Sequence, residues 1–555
     1  MAEIHGGESL VRMLEKEGMR QVFGLHGGHI DVIFQACADH GIAVYDTRHE
    51  AAAGHMAEGW ARATGRPGVV VVTAGPGVAN VVTAVVDAQV DAVPMLVIGG
   101  RHLVRDEEKL MLQDFDGLSL MTPITKWARR VSEPQRIAEF TAMALREATT
   151  GRPGPVFLEI PMDVLFAKVD EASVTFPDLS RPTPPAPSPE AVERALAMLA
   201  EAKRPLVIAG NGVWFAGATA ELRQFAEATS TPVTANGPAR GAVPEEGHPL
   251  GAGGLGTLAV LGLQPELAPD LVLLLGARIG LFLGGGAWIP PNAKVIQVDI
   301  EGAEIGRNRD IDLGIVADCG EALRAFTKAA EGRRFPERGE WLQALANVKH
   351  APRFLYKDAL ESDATPMHPI RLMQEIDGFL GEDDVLVVDG GETYVWMQMT
   401  ATMQKPGRLI SYGYLGCLGV GLPFGMAAQI AHPGKRVLVV TGDGSVGLNF
   451  SEFDSAVRHK LPIVVVVNND QAWGMVKHEQ ELRGAKTVAT ELGSVRYDRA
   501  AEGFGAYGEL VEDPLAVAPA LERAFAAGRP ACINVMVDPR PPSPLTIASA
   551  AAFQI

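Results

Sequence analysis

The chain has 555 residues and a formal net charge of −18, with 47% apolar and 21% charged residues. This length exceeds one hydrophobic core and predicts about three domains, and the apolar and charged shares are those of a globular protein. The acidic balance, without Lys/Arg clusters interleaved with aromatic residues, argues against a nucleic-acid binder.

The start of the chain and its cysteines restrict the class of protein further. The first ten residues, MAEIHGGESL, lack a basic region followed by an apolar core, so we expect no signal peptide and a cytoplasmic location. The uncharged stretch 67–86 contains Pro76 and Asn80, which favours a buried strand–turn–helix over a membrane helix. Far-apart cysteines without a CxxC pair predict neither a zinc site nor a disulfide framework. They are Cys37, Cys319, Cys417 and Cys532.

Short β-branched runs recur along the chain, each followed by a glycine-rich turn and then by helical periodicity. They lie at 68–77, 95–100, 205–212, 270–278, 294–300, 385–391, 436–444 and 462–470. Continuous rather than alternating apolar strands are typical of parallel sheets that helices cover on both faces. The sequence therefore predicts an α/β protein built from doubly wound parallel sheets.

Two changes in composition divide the chain. The segment 176–191 is proline-rich and reads as an extended linker, and in 330–366 the charge rises while strand signals vanish. The predicted order is a first domain at 1–165, a linker at 166–189, a central domain at 190–330, a second linker at 331–366, a third domain at 367–540 and a tail at 541–555.

The segment 442–474 carries the clearest chemical signal. One strand ends in Gly442-Asp443-Gly444-Ser445, a helix follows, and the next strand ends in Asn469-Asp470. Because both strand ends open onto the carboxyl edge of a parallel sheet, we expect Asp443 and Asp470 to lie close together. Oxygen ligands suit Mg²⁺, and Ser445 with the helix amino terminus suits a diphosphate. Asn469, one residue earlier, is an alternative to Asp470 as the second ligand.

This motif resembles the diphosphate-binding sequence of thiamine diphosphate enzymes of the acetohydroxyacid synthase and pyruvate decarboxylase type. The resemblance extends over most of the chain, and the matching segments are most similar to the benzaldehyde lyase branch of this family. It implies three doubly wound domains, namely a pyrimidine-binding domain, a central Rossmann-like domain and a diphosphate-binding domain. The matching segments are 22–65, 73–77, 112–116, 124–131, 151–161, 389–396, 413–421 and 529–535.

The resemblance also implies an activity. The enzyme would be a thiamine diphosphate-dependent carbon–carbon lyase or carboligase, which cleaves or forms α-hydroxy ketones from aldehydes with the cofactor as electron sink. The small-molecule substrate would bind in a homodimer or homotetramer with active sites at the subunit interface. A catalytically silent, cofactor-binding subunit is the contrasting interpretation, and the retained acids and histidines argue against it.

Glu50 heads the stretch TRHEAAAGHMAEG at 47–59, in which almost every other residue is small or apolar. An acid in the first turn of a helix is stabilised by the helix dipole, and this is the structural interpretation. By the resemblance, Glu50 is instead the buried glutamate that hydrogen-bonds N1′ of the cofactor's aminopyrimidine. The alanines after it would then form a closely packed helix at a domain or subunit interface.

Four further residues are candidate catalytic groups. His26 and His29 flank a glycine pair after a strand, and the resemblance gives His29 the proton on the substrate oxygen, with His26 nearby. Gln113 would donate to the cofactor-bound oxygen, and Tyr394 would present its hydroxyl to the substrate. Read alone, they would be solvated loop histidines, a loop amide and a core tyrosine.

The resemblance assigns the cofactor and metal positions residue by residue. Leu418 would hold the cofactor in its bent conformation, and the carbonyl of Gly416 would accept from the 4′-amino group. The metal positions are Asp443, Asp470 and Ala472. The cofactor-binding positions are Glu50, Thr73, Pro76, Glu392, Thr393, Gly416, Cys417, Leu418, Gly442, Asp443, Gly444, Ser445, Asp470, Ala472, Trp473, Gly474 and Met475.

Two positions depart from the benzaldehyde lyase pattern, and the central domain leaves a cofactor open. Met475 and Met162 replace an alanine and a tryptophan of the aromatic pocket, and methionine adapts to aliphatic groups. The alternatives are therefore an acetolactate synthase-like 2-keto acid decarboxylase/carboligase or a 2-hydroxyacyl-CoA lyase. Glycine turns at 209–212 and 275–280 leave FAD, or the ADP portion of coenzyme A, as an unfavoured option.

Overall fold

The computed structural model describes residues 2–262 and 264–552 and contains three parallel sheets of six strands, each with helices on both faces. The predicted α/β class of three doubly wound sheets is confirmed. Met1 of the predicted first domain, residue 263 of the central one and residues 553–555 of the predicted tail lie outside the described residues.

The first sheet has the strand order β3-β2-β4-β5-β7-β6, and β1 pairs with β8 in a separate antiparallel ribbon. Residues 168–170, within the interval predicted as a linker, thus pair with the start of the chain. The elements are β1 (Glu3–His5), α1 (Gly6–Lys16), β2 (Gln21–Leu25), α2 (Asp31–Asp39), β3 (Ala43–Asp46), α3 (Glu50–Thr64), β4 (Gly68–Val72), α4 (Pro76–Asn80), α5 (Val82–Asp91), β5 (Met95–Arg101), α6 (Gly117–Met121), β6 (Trp127–Arg130), α7 (Ile137–Thr149), β7 (Pro155–Pro161), α8 (Met162–Phe166) and β8 (Lys168–Asp170).

The central sheet has the order β11-β10-β9-β12-β13-β14. Three helices, α14 to α16, follow it in the interval 331–366, where the sequence predicted a linker without strands. The elements are α9 (Pro189–Glu201), β9 (Pro205–Ala209), α10 (Asn211–Phe215), α11 (Thr219–Thr229), β10 (Val233–Ala235), β11 (Gly251–Gly254), α12 (Gly256–Gly262), β12 (Leu271–Leu275), β13 (Lys294–Asp299), β14 (Leu313–Val316), α13 (Cys319–Ala330), α14 (Gly339–Lys349), α15 (Ala351–Leu355) and α16 (Lys357–Leu360).

The third sheet has the order β16-β15-β17-β18-β20-β19. A final helix, α25, lies in the predicted tail. The elements are α17 (Pro369–Phe379), β15 (Val385–Val388), α18 (Gly391–Thr400), β16 (Leu409–Ser411), α19 (Gly421–Ala431), β17 (Val437–Gly442), α20 (Asp443–Leu448), α21 (Glu452–Arg458), β18 (Val464–Asn469), α22 (Gly474–Leu482), α23 (Tyr497–Glu502), β19 (Tyr507–Val511), α24 (Val517–Ala526), β20 (Ala531–Met536) and α25 (Pro544–Ala552).

Close packing of small residues joins the first and third domains. Helix α3 lies against α19, and a Cβ added at Gly59 would come within 2.9 Å of the Phe424 backbone and ring. Ala53 and Ala57 of α3 are fully buried in the core that both domains share. The small residues after Glu50 therefore form a contact between two domains of one chain. Within the described residues, every helix is too short or too polar to cross a bilayer.

Candidate active site

A cavity of about 810 Å³ opens at the carboxyl edge of the third sheet. Three helices begin at its wall, α18 at Gly391, α20 at Asp443 and α22 at Gly474, each directly after a strand or a short turn. The residue before each helix gives no side-chain cap; in α20 the Gly444 N–H donates to Asp443 Oδ1 at 2.8 Å, and the other first-turn N–H groups have no such cap among the described residues. These free N–H groups and the positive ends of the helix dipoles suit an anionic group.

Three oxygen-bearing side chains meet in the cavity wall. Asp443 and Asp470 follow the ends of β17 and β18, and Asn468 lies beside them. Asp443 Oδ2 and Asn468 Oδ1 are buried and receive no hydrogen bond from the described residues. Burial, followed by repulsion from Asp470, raises the pKa of Asp443, and burial also raises that of Asp470. A site with such orphaned oxygens fits a divalent cation, which the sequence predicted without Asn468.

Glycines let the backbone close around this site. Gly390 has φ +99°, and a Cβ there would lie 3.1 Å from the Gly442 nitrogen and 3.3 Å from Ser445 Oγ. A Cβ on Gly444 would meet the Trp473 ring at 2.6 Å, and one on Gly474 would lie 2.3 Å from Asp470 Oδ2. Only glycine fits at such positions, where backbone approaches a ligand closely.

Asn469 and Asp470, the two alternatives for the second metal ligand, have different environments. Asn469 is fully buried, its Oδ1 accepts from the Gln471 N–H, and its Nδ2 donates to Asn534 Oδ1 at 2.9 Å. Asp470 lines the cavity, and its Oδ1 accepts from the Ala472 N–H at 3.2 Å. The Asn469 side chain therefore organises the strand end, while Asp470 faces the open space.

Most predicted cofactor positions of the third domain line this one cavity. Cys417 does not, because its side chain packs into the core shared with α3, and burial raises the pKa of its thiol. The lining positions are Glu392, Thr393, Gly416, Leu418, Gly442, Asp443, Gly444, Ser445, Asp470, Ala472, Trp473, Gly474 and Met475, and the predicted catalytic residue Tyr394 lines the cavity as well.

Glu392 accepts hydrogen bonds from residues of the chain's tail. Its Oε1 accepts from the Ser543 N–H at 2.8 Å and from Thr546 Oγ1 at 2.7 Å, and its Oε2 lies 2.9 Å from His478 Nδ1. His478 Nε2 in turn lies 2.8 Å from the carbonyl of Pro539. Glu392 thus holds the tail over one end of the cavity, a role that its sequence position did not indicate.

Glu50 lies at a different edge of the molecule. It is the first residue of α3, it is 6% exposed, and its Oε2 accepts from Asn80 Nδ2 at 3.0 Å. Pro76 and Asn80 beside it are exposed. The helix-start interpretation is correct for its position, and burial next to an exposed surface is the additional feature that the structure supplies.

The remaining predicted residues of the first domain lie on the same side of the molecule as Glu50 and away from the first cavity. His29 is buried, and its ring lies 5.7 Å from that of His102, which the sequence did not single out. Burial, then the charge of His102, lowers the pKa of His29. Gln113 has φ +62° and packs on Gly75. None of Glu50, His26, His29, Thr73, Pro76 and Gln113 lines the third-domain cavity.

His26 and Thr73 have contacts that differ from each other in kind. His26 is half exposed, its Nε2 lies 3.0 Å from Asp31 Oδ1, and its ring stacks on Phe34. Thr73 is buried against Gly27, and its Oγ1 has no hydrogen-bond partner among the described residues. His26 is thus held at the surface, whereas Thr73 supports the glycine pair before His29.

A second cavity of about 730 Å³ lies at the carboxyl edge of the central sheet. It is lined by Gly210, Gly276 and Asp299, at or just after the ends of β9, β12 and β13. The strand order reverses between β9 and β12, which is where doubly wound sheets bind ligands. Arginines also line it, namely Arg62, Arg152, Arg181, Arg278 and Arg324.

The fold and the first cavity define a class, an α/β enzyme that binds a diphosphate-bearing cofactor at a sheet edge. Comparison with family models makes this specific. Residues 4–120, 192–326 and 389–535 match the N-terminal TPP binding domain, the central domain and the C-terminal TPP binding domain of thiamine pyrophosphate enzymes. The chain therefore belongs to the thiamine pyrophosphate (thiamine diphosphate) enzyme family, and the predicted cofactor is confirmed.

Several similar proteins match nearly the whole chain. An acetolactate synthase large subunit of Mycobacterium tuberculosis is 34% identical over 97% of this chain and 96% of its own. A 2-hydroxyacyl-CoA lyase 2 of Danio rerio is 32% identical over 96% and 92%, and the acetolactate synthase isozyme 1 large subunit of Escherichia coli is 31% identical over 96% and 94%. The predicted carbon–carbon lyase or carboligase class is consistent with these relatives, whereas benzaldehyde lyase specificity stays a prediction.

Proposed function

We propose that the protein is a lyase and carboligase for neutral aldehydes and α-hydroxy ketones. The supporting observation is the wall of the first cavity, where Tyr394, Phe282, Leu418 and Met475 give an apolar surface beside the oxygen ligands. Among the cations of this wall, Arg353 is exposed, Lys349 donates to the Glu245 and Gly251 carbonyls, and the fully buried Arg240 is already engaged. It donates to both oxygens of Glu245, to Gln398 and to the Ala401 carbonyl. A neutral carbonyl compound fits such a wall better than a keto acid.

The residues at the diphosphate end fit the cofactor and its cation. Asp443, Asp470 and the Ala472 carbonyl would hold Mg²⁺, with Asn468 as a further oxygen donor. The N–H groups that begin α18 and α20, with Ser445, would bind the diphosphate. Bound there, thiamine diphosphate supplies the electron sink for the carbon–carbon bond that breaks or forms.

The first-domain residues would act on this cofactor from a second copy of the chain. In one chain Glu50 and the cavity lie apart, and Glu50 borders exposed Pro76 and Asn80. The loop around Gln113 also exposes apolar side chains, with Leu110 93% and Leu112 79% exposed. Such a surface is typical of an interface, so a homodimer or homotetramer would complete each site.

Residues of the predicted site would transfer protons or donate hydrogen bonds during the reaction. Glu50, steadied by Asn80, would hold a proton at the cofactor's pyrimidine nitrogen. His29, whose pKa is lowered by burial, stays neutral and can accept a proton from a substrate hydroxyl. Burial raises the pKa of Tyr394 to about 12, so its hydroxyl stays protonated and donates. Gln113 would donate to the substrate oxygen, and His26 would lie nearby.

Parallel substrate assays test the reaction class. The holoenzyme with Mg²⁺ and thiamine diphosphate is incubated separately with benzoin, pyruvate and a 2-hydroxyacyl-CoA, and aldehyde and carbon dioxide are measured. We expect aldehyde from benzoin. Consumption of pyruvate alone, with release of carbon dioxide, would contradict the proposal and support the acetolactate synthase-like alternative.

Complementation between two inactive variants tests the shared site. Glu50→Gln and Asp443→Asn are each expected to be inactive, and their chains are co-expressed with different tags. If Glu50 of one copy serves Asp443 of another, a mixed dimer keeps one intact site, so random mixing restores about a quarter of wild-type activity. Absence of rescue in isolated mixed dimers would place both residues' functions within one chain.

The second cavity favours one further candidate, a 2-hydroxyacyl-CoA lyase. It combines the switch point of a doubly wound sheet with arginines that suit a nucleotide's phosphates. The relative from Danio rerio bears that name. Aldehyde production from the acyl-CoA substrate, lost in Arg181→Ala but unaffected for benzoin, would support this candidate; equal loss for both substrates would count against it.

A further inference from the structure

A cluster of charged side chains is buried where α3 meets α5 and α19, away from the first cavity. Its members are His55, Glu58, Arg62, Asp87 and Asp91, and none is more than 3% exposed. His55 and Arg62 also contact the Phe424 ring of α19, with the His55 ring edge-on and the Arg62 guanidinium 5.6 Å from the ring centre. The cluster therefore lies in the contact that joins the first and third domains.

Arg62 is satisfied by two of the three acids. Its Nη2 donates to Glu58 Oε1 at 2.6 Å and to Asp91 Oδ2 at 2.7 Å, and its Nε also donates to Glu58 Oε1. Asp91 Oδ1 accepts from the Tyr414 N–H at 3.0 Å. The second oxygen of Glu58 turns the other way, 3.2 Å from His55 Nδ1.

Asp87 is the unexplained member of the cluster. It is fully buried, and neither of its carboxylate oxygens receives a hydrogen bond from the described residues. One ligand atom each of Asp87, Glu58 and His55 lie within 4.8 Å of one another. A buried carboxylate without a donor is expensive to keep, so a cation or a proton must lie beside it.

One divalent cation fits the charge balance of the cluster when its carboxylates are ionised. With three carboxylates ionised and one guanidinium, the group carries two excess negative charges, and one divalent cation cancels them. Asp389, the next acid along, accepts separately from the Gly421 N–H and Thr441 Oγ1. One imidazole and two carboxylates in a dry site suit Zn²⁺ or Mn²⁺, whereas Mg²⁺ prefers oxygen ligands and retained waters.

We infer that His55, Glu58 and Asp87 form a structural site for a divalent transition metal, Zn²⁺ or Mn²⁺, distinct from the cation at Asp443. The metal would tie α3 to α5, beneath the contact with α19. Because α3 begins at Glu50, the site would fix the helix that carries this residue. The inference does not depend on which substrate the enzyme uses.

Metal analysis of the whole holoenzyme tests the site. Protein prepared with Mg²⁺ and thiamine diphosphate is incubated with ZnCl₂ or MnCl₂ alone, dialysed against metal-free buffer and analysed by plasma mass spectrometry. We expect about one Zn²⁺ or Mn²⁺ per chain in Asp443→Asn, which lacks the first-cavity cation, at least as much in the wild type, and about one fewer per chain in Asp87→Asn than in the wild type. His55→Gln is a second variant in case Asp87→Asn folds poorly. X-ray absorption should show one imidazole among oxygen ligands.

Two outcomes would overturn the inference. The first is a wild type that retains no transition metal after loading. The second is equal metal content in the wild type, Asp87→Asn and His55→Gln. In the first case, infrared spectra would identify what holds the cluster. A protonated-carboxyl band that is present in the metal-free wild type and absent from Asp87→Asn would show that a shared proton lies between the acids instead of a metal.

Discussion

The first and third sheets have the same topology and carry different chemistry. When each domain's sheet strands are counted from its own first one, both orders read 2-1-3-4-6-5, while the central sheet reads 3-2-1-4-5-6. At the third sheet, the carboxyl edge is enclosed and lined by acids and glycines. At the first, it presents Glu50 and His29 next to an exposed surface. The scaffold therefore fixes where ligands bind, and the side chains at strand ends fix which half of a cofactor each edge serves.

Replacing Asp443, the acid at the carboxyl edge of the third sheet, should have the largest effect, and that effect is on cofactor binding. Changes outside the metal's own ligands cost roughly 10- to 100-fold in metal affinity. Asp443→Asn is expected to lower Mg²⁺ and thiamine diphosphate affinity by more than this, because Asp443 is itself a proposed ligand whose Oδ2 receives no hydrogen bond from the described residues. Calorimetric titration of the cofactor measures this affinity, and Trp473, packed on Gly444, gives a fluorescence readout. Asp513→Asn, an acid on the same domain outside the cavity, should bind normally. Normal affinity in Asp443→Asn would remove the diphosphate role from this edge.

Replacing Glu50, the acid at the carboxyl edge of the first sheet, should lower turnover while leaving cofactor affinity nearly unchanged. Glu50→Gln keeps the shape of the side chain and its contact with Asn80, so we expect cofactor affinity within a few-fold of wild type. Because the variant cannot share a proton, kcat should fall by about 10²- to 10⁴-fold. Glu331→Gln, at an exposed acid directly after α13, is the matched control. A Glu50→Gln variant with full turnover would leave the helix-dipole role as the sole function of this residue.

The two edges were also predictable to different degrees. The third could be recognised in the sequence because its ligands lie within one continuous strand–helix–strand segment, from Gly442 to Gly474. Asn468 was not predicted because the sequence does not distinguish two kinds of strand-end asparagine. The side-chain oxygen is free of hydrogen bonds in Asn468 and hydrogen-bonded in Asn469 within the described residues. The tail's hold on Glu392 depends on residues about 150 positions apart, and the three domains' mutual packing depends on tertiary contacts that local periodicity does not encode.

A third prediction concerns the cavity wall, where the third edge meets the substrate. Met475 packs on Gly391 and lines the cavity. Met475→Ala should enlarge this wall and shift the ratio of kcat/KM for benzaldehyde over acetaldehyde upward by about 10-fold, the scale on which apolar pocket changes discriminate substrates. Met198→Ala, a methionine of the central domain, should leave the ratio unchanged. An unchanged ratio in Met475→Ala would mean that the first edge of a partner copy selects the substrate.

The smallest expected effect lies in the helices outside the first sheet. His40, at the end of α2, has its Nε2 2.9 Å from Glu8 Oε1 and its Nδ1 3.1 Å from Glu15 Oε2, both on α1. The bond to Glu8, and then that to Glu15, raises the pKa of His40 above its ordinary value. The contact therefore stabilises fully below the unfolded-state pKa of about 6.5 and is lost as pH rises through the higher folded-state pKa.

Hydrogen exchange of the α1 and α2 amides, compared between wild type and His40→Gln, measures this contribution. Because the pair is partly solvated, we expect about 0.5 kcal/mol of extra protection in the wild type at pH 6 and almost none at pH 9. The outer helices of the third sheet, α17 and α18, pack through apolar residues such as Ile370, Met373 and Met397 and should show no such difference. Equal protection of α1 and α2 in both proteins at pH 6 would show that apolar packing alone joins the helices at both sheets.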